Sequence, residues 1–104
     1  MYKRQPIACV IKAGSYEEAL SLVNDTRFGL TAGIMTRSLA RASHFRRNAR
    51  VGCVMVNLPT AGTDYHVPFG GRGDSSYGPR EQGRSAVEFY THVKTGYIAA
   101  GAPL

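Results

Sequence analysis

The sequence has no tryptophan, only two cysteines and three histidines, and about half as many acidic side chains (7) as basic ones (13). The cysteines, Cys9 and Cys53, form neither a Cys-x-x-Cys pair nor a Cys/His ligand spacing, which excludes a zinc module and a disulfide scaffold. Both sit in apolar, β-rich surroundings, so two buried, reduced thiols are expected. A catalytic thiol needs an electropositive, accessible setting, which Cys53 within GCVMVN lacks. No apolar run approaches the roughly 20 residues of a membrane-spanning helix. MYKRQPIACV lacks the apolar core and cleavage signal of a secretory peptide, so a cytoplasmic location is the default. There is no Gly-x-Gly-x-x-Gly after a strand, and no Lys-Ser/Thr follows the glycines of FGGRG, which excludes a P-loop and a dinucleotide fingerprint.

What is present is a positive balance, net +6 with a pI near 9.8. Arg37, Arg41, Arg46, Arg47 and Arg50 cluster, but no aromatic platform or recognition-helix pattern accompanies them. They read as a solvated helix face, not a nucleic-acid surface. The alternative, a freestanding basic binding module, would show salt-dependent DNA binding. Hydrophobic content is 43% of 104 residues, enough for one small domain or a piece of a larger one.

Along the chain, IACVIK (7–12) reads as a short buried strand ended by Gly14. Ser15 stands three residues before Glu18, the spacing of a capping box in which each side chain serves the other's backbone N–H. Tyr16, Ala19, Leu20 and Val23 then form one apolar helix face, closed by Asn24 and Asp25. AGIMT (32–36) is a strand. Ser38 caps a second helix over 39–49, and VGCVMVN (51–57), apolar on both faces, reads as the interior of a covered parallel sheet. The order β-α-β-α-β indicates an α/β layer. Residues 80–90 resume a helix, 91–99 alternate like a strand, and 101–104 form a frayed tail.

Between Asn57 and this last helix lies a stretch too long for an ordinary connection. Residues 58–79 lack periodicity, yet Tyr65, Val67, Phe69 and Tyr77 argue for order. Arg72–Asp74 spells RGD, a tripeptide expected by chance. His66 beside Asp64 suggests an acid/base pair, although a structural hydrogen bond accounts for it equally simply. His44 reads as a surface residue and His92 has no evident partner. No set of nucleophile, base and oxyanion donors is complete.

NDTRFGLTAG, VGCVMVN, PFGG, GPREQG and YTHVKT occur in an order that resembles the C-terminal part of the aldehyde dehydrogenase superfamily, over about residues 6–100. The loop NLPTAGTDYHVPFGGRGDSSYGPREQGR is similar to that of α-ketoglutaric semialdehyde (2,5-dioxopentanoate) dehydrogenases. The resemblance implies an α/β fold that is only the C-terminal portion of a catalytic domain, incomplete by itself. It also implies a parent enzyme that oxidises the semialdehyde to 2-oxoglutarate with NAD or NADP. A related enzyme of other specificity, such as a succinate semialdehyde type, is the alternative within the family.

The family's nucleophilic cysteine, general base, oxyanion asparagine and cofactor domain lie upstream of the matched region. No catalytic residue and no metal site is therefore assigned to this chain, and alone it should be inactive. Phe69 matches a residue at the base of the substrate tunnel near the nicotinamide, and Leu30 one near the nicotinamide side. Thr60 to Tyr65 match the loop that shapes substrate choice, so Thr60, Thr63 and Tyr65 are expected to bind the distal 2-oxo acid end. Residues 91–99 match a strand that pairs with a neighbouring subunit, implying a homo-oligomer, with no nucleic-acid or membrane partner. Only Pro6 fits the motif preceding Ile7, so residues 1–5 are expected to be a foreign leader.

Overall fold

The computed structural model describes residues 8–101. In chain order it contains α1 (Tyr16–Asn24), β1 (Phe28–Gly29), β2 (Thr31–Ile34), α2 (Leu39–Asn48), β3 (Cys53–Val56), β4 (Arg72–Gly73) and α3 (Ser85–Tyr90). β2 and β3 pair in parallel, with Thr31 opposite Cys53 and Ile34 opposite Val56. β1 and β4 form a separate antiparallel pair, with Phe28 opposite Gly73. The α/β character and the parallel pair agree with the sequence reading.

The two longer helices begin where their caps predict. The Ser15 hydroxyl accepts from the Glu18 N–H at 3.1 Å, and the Ser38 hydroxyl accepts from the Arg41 N–H at 3.3 Å, each satisfying a donor that a helix start leaves open. The return bond differs from expectation: the Glu18 carboxylate accepts from the Gly14 N–H at 2.6 Å, one residue earlier than Ser15. Leu20 of α1 and Phe45 of α2 meet Ala49 and Val51 in a small core, flanked by Tyr16, Val23, Ala32, Ile34 and Val54. The side chain of Asn24 ties the two helix ends together. Its Nδ2 donates to the Asn48 carbonyl at 3.0 Å, and its Oδ1 accepts from the Arg50 N–H at 2.7 Å.

Several expected elements differ. Residues 8–12 form no strand, and Val10 and Ile11 are exposed; Ile7 lies outside the described residues. Residues 91–99 form no strand either, with Val93, Tyr97 and Ile98 almost fully exposed. A strand exists only when its N–H and C=O groups find a neighbouring strand, and no described segment pairs with either stretch. The expected β-α-β-α-β order therefore loses its first member, and two short strands unforeseen in the sequence, β1 and β4, appear instead. The predicted 51–57 strand narrows to Cys53–Val56 and is half-buried, not enclosed on both faces. The predicted 80–90 helix shrinks to Ser85–Tyr90. Gln82 (φ 68°) and Gly83 (φ 51°) hold left-handed backbone, which no helix turn tolerates. The cysteines are not buried as expected: Cys9 is exposed and Cys53 half-buried. The proposed leader (1–5) and most of the tail (101–104) lie outside the described residues.

Candidate functional site

The site begins where the parallel strand pair ends. Asn57 follows β3 with φ 56°, a left-handed conformation that Asn adopts more readily than most residues. Its backbone N–H donates to the Ile34 carbonyl at 2.8 Å. Its side chain continues the ladder, with Oδ1 accepting from the Thr36 N–H at 2.8 Å and Nδ2 donating to the Thr36 carbonyl at 2.9 Å. One residue thus prolongs the pairing and turns the chain across the ends of the strands. Thr60 then passes over β2, close enough that a methyl added at Gly33 would sit 3.0 Å from its Cγ2.

Residues 58–68 arch over β3 and enclose a groove of about 450 Å³, lined by Cys53, Met55, Leu58, Thr63, Asp64 and Val67 among others. Asp64 is its only charged lining residue. The arch closes at its base, where the Gly83 N–H donates to the Tyr65 carbonyl at 3.1 Å. Gly83 admits this contact because the His66 carbonyl lies where a Cβ would stand.

The PFGG segment follows and is clamped from several sides. Phe69 and Glu81 exchange two backbone hydrogen bonds, of 2.7 and 2.9 Å. Arg80 donates from Nη1 to the Gly71 carbonyl at 2.8 Å. The Gly70 carbonyl lies so close to Gly52 that any side chain there would collide with it. The Ser75 hydroxyl accepts from the Gly29 N–H at 3.1 Å. Arg27 and Asp74 form an exposed ion pair at 3.2 Å, which places the aspartate of the RGD tripeptide in a turn contact. The long stretch is held by these backbone contacts, with Tyr65 and Tyr77 exposed; Gly70, Gly71 and Gly73 sit in close packing, whereas Gly62 and Gly78 face open space.

Of the residues singled out from the sequence, Thr63 lines the groove and is half-buried. Thr60 lies beside it over Gly33 and is exposed. Tyr65 contributes its backbone to the arch, while its side chain is 85% exposed. Phe69 is half-buried under the clamp. Leu30 is exposed and lines a different groove of about 260 Å³ with Phe28, Val51 and Ser75. Leu30 and Phe69 are both anchored at the start of β3. The Leu30 carbonyl accepts from the Cys53 N–H at 3.0 Å, and the Gly70 carbonyl faces Gly52 and Cys53. His66 makes no hydrogen bond to Asp64 among the described residues; its ring lies edge-on to Tyr65 with centroids 5.5 Å apart. His44 bonds the Tyr16 hydroxyl through Nδ1 at 2.8 Å. No group of three or more potential metal ligands occurs among the described residues, and no described helix is long and apolar enough to cross a membrane.

Asn57, Gly52 and Arg80 are candidate-site residues to which the sequence assigns no individual role, and Asp64, paired there with His66, instead lines the groove. Asn57 and Arg80 stand within the motifs VGCVMVN and GPREQG, but their partners lie 21 and 9 residues away, and no local pattern announces such pairings.

A family model described as "Aldehyde dehydrogenase family" matches residues 5–96. The chain is 41% identical to the α-ketoglutaric semialdehyde dehydrogenase of Bacillus subtilis (strain 168), over 89% of this chain and 19% of that protein. It is also 41% identical to the α-ketoglutarate semialdehyde dehydrogenase of Haloferax volcanii, over 88% of this chain and 19% of that protein. Among solved structures, the P. syringae AldA indole-3-acetaldehyde dehydrogenase mutant in complex with NAD+ and IAA matches with a TM-score of 0.69 and 36% identity. That match covers 83% of this chain and 17% of the other. The chain therefore spans about a fifth of the length of the relatives it matches. With the ordered arch, the PFGG clamp and the parallel strand pair all falling inside the matched region, the chain belongs to the aldehyde dehydrogenase family.

Proposed function

We propose that the protein to which this chain belongs oxidises α-ketoglutaric semialdehyde to 2-oxoglutarate with NAD or NADP. The observation that carries this reading is the 41% identity, across most of the chain, with two enzymes named for that substrate. The described residues contain no complete nucleophile, base and oxyanion set. The parent reaction joins a thiol to the aldehyde carbon, removes a hydride and hydrolyses the resulting thioester, and residues outside this chain would perform those steps. A bound nicotinamide would accept the hydride. The chain carries neither a P-loop nor a dinucleotide glycine fingerprint, so its contribution at the nicotinamide is apolar contact, for which the exposed Leu30 side chain and half-buried Phe69 are suited.

The chain's own task in this reading is to wall the substrate tunnel. Phe69, fixed by its pair of backbone hydrogen bonds with Glu81, is the wall at the tunnel base. Thr63, with Thr60 and Tyr65 beside it, offers hydroxyl donors to the distal 2-oxo acid end of the substrate. Residues 91–99 would become a strand when a neighbouring subunit supplies its partner, making the enzyme a homo-oligomer. Alone, the chain is expected to oxidise no aldehyde, and detectable turnover by the isolated chain would contradict this division of labour.

The specificity reading is tested by placing Thr60→Val in the complete enzyme and comparing α-ketoglutaric semialdehyde with a simple aliphatic aldehyde. KM should rise several-fold, on the order of the five-fold loss of one modest hydrogen bond, for the oxo acid alone. An equal rise for both substrates would remove Thr60 from substrate recognition.

A further inference from the structure

α1 and α2 flank a second, open groove of about 550 Å³ that shares no lining residue with the groove under the arch; it is lined by Glu17, Ser21, His44, Arg47, Arg50 and Arg72 together with Asn24 and Asn48. We propose that this groove binds a phosphate dianion, either free or as the head of a phosphate monoester. Its walls are fixed before any ligand arrives. Asn24 spends both ends of its amide on the backbone of Asn48 and Arg50, and Asn48 donates to the His44 carbonyl at 2.7 Å. His44 is held in turn through Nδ1 by the Tyr16 hydroxyl.

The amides are thus consumed internally and the guanidiniums are not. Among the described residues, Arg47, Arg50 and Arg72 make no ion pair and no side-chain hydrogen bond, and the only ion pair joins Arg27 to Asp74. Three guanidiniums against the single carboxylate of Glu17 leave two positive charges. That surplus suits the charge of a phosphate group near neutral pH, about −1.5 to −2. Arginine forks match phosphate oxygens in pairs, and a carboxylate, though it fits the same fork, would neutralise only one of the two surplus charges.

The patch is local. Arg41 faces a separate cavity with Tyr16 and Phe45, and its guanidinium lies over the Tyr16 ring, 5.9 Å from the centroid. A continuous stripe able to follow a nucleic-acid backbone is therefore interrupted. Two of the three arginines belong to the cluster that the sequence suggested was only a solvated face. Arg72, brought in by β4 from 22 residues beyond Arg50, converts that face into a concave site.

The test is a titration of the full chain with inorganic phosphate at constant ionic strength held by chloride, read by calorimetry and by the 15N shifts of the arginine Nε–H groups. Saturable binding that perturbs Arg47, Arg50 and Arg72 is the expected result. Arg47→Gln and Arg72→Gln should each weaken it about five- to ten-fold. Glu17→Gln should tighten it, a gain of affinity that misfolding cannot imitate. A parallel titration with a phosphate monoester separates the two sources: tighter binding than inorganic phosphate assigns the site to an esterified ligand, and equal or weaker binding to the free ion. No saturable binding, affinity unchanged from the parent chain in both Arg47→Gln and Arg72→Gln, or binding of duplex DNA without binding of phosphate would each overturn the proposal. None of these outcomes bears on the aldehyde reading, which concerns a different groove.

Discussion

At the scale of single residues, the site depends on positions where a side chain is forbidden and on one charge. Gly52 carries the Gly70 carbonyl directly against its Cα. Gly52→Ala must therefore push the PFGG segment off β3. Overpacking of this kind costs about 3 kcal/mol, a loss that urea denaturation of the chain would detect. A change below about 0.5 kcal/mol would mean that the clamp is absent in solution. Asp64 is the one charge lining the groove beside Thr63. If a substrate carboxylate binds there, Asp64 opposes it by roughly 1 kcal/mol at water-like screening and a few ångströms. Asp64→Asn in the complete enzyme should then lower KM for the oxo acid aldehyde by about five-fold and leave an uncharged aldehyde unaffected. An unchanged KM would place the carboxylate elsewhere.

At the scale of elements, the parallel pair β2–β3 is the platform, and Asn57 is its lock. Parallel pairing of four residues is weak by itself, so the two side-chain hydrogen bonds from Asn57 to Thr36 matter more than such bonds usually do. Asn57→Ala removes both bonds and places a residue less tolerant of φ 56° at the turn. The expected loss is about 2 kcal/mol, with faster amide exchange at Thr36 and along residues 58–64. Uniform acceleration across α1 and α2 instead would indicate global destabilisation without a local role. The helices were legible because their signals are local: Ser15 and Ser38 stand where caps belong, and Leu20 and Phe45 recur on the face that is buried. The short α3 was overestimated because the apolar spacing of residues 80–90 hides the left-handed backbone at Gln82 and Gly83. Nothing in the composition of REQGR announces that the segment must bend back to meet Phe69.

At the scale of the whole molecule, the chain is far from compact. Its radius of gyration is 20.5 Å, against about 13 Å for a compact chain of this length, and its long axis reaches 79 Å. The excess comes from ends that touch little. Val93, Tyr97 and Ile98 are at least 97% exposed, and among the described residues only four hydrophobic side chains are buried in the core. Ending the chain after Thr91 should therefore shift its melting temperature by less than about 2 °C, since 1 kcal/mol moves a domain this size by about 4–8 °C. The amides of residues 92–101 should exchange at unprotected rates. A larger shift would show that the last segment packs on the body in solution.

The amino-acid sequence by itself determined α1 and α2 with their serine caps, the existence of β3, the ordered character of residues 58–79 and the family. Each of these is written in neighbouring residues: a hydroxyl three positions before an acid, an apolar repeat, five short motifs in order. The tertiary structure decided what depends on distant partners. It withheld strands from residues 8–12 and 91–99, because a strand needs a neighbour to receive its hydrogen bonds. It created β1 and β4 from residues with no strand pattern, because Gly29 and Gly73 allow two backbones to meet. It placed Thr63 with Asp64 in one groove and Leu30 in another, and it drew Arg72 to Arg47 of α2 and to Arg50. Local sequence encodes local conformation, whereas pairing across tens of residues is settled only when the chain has closed.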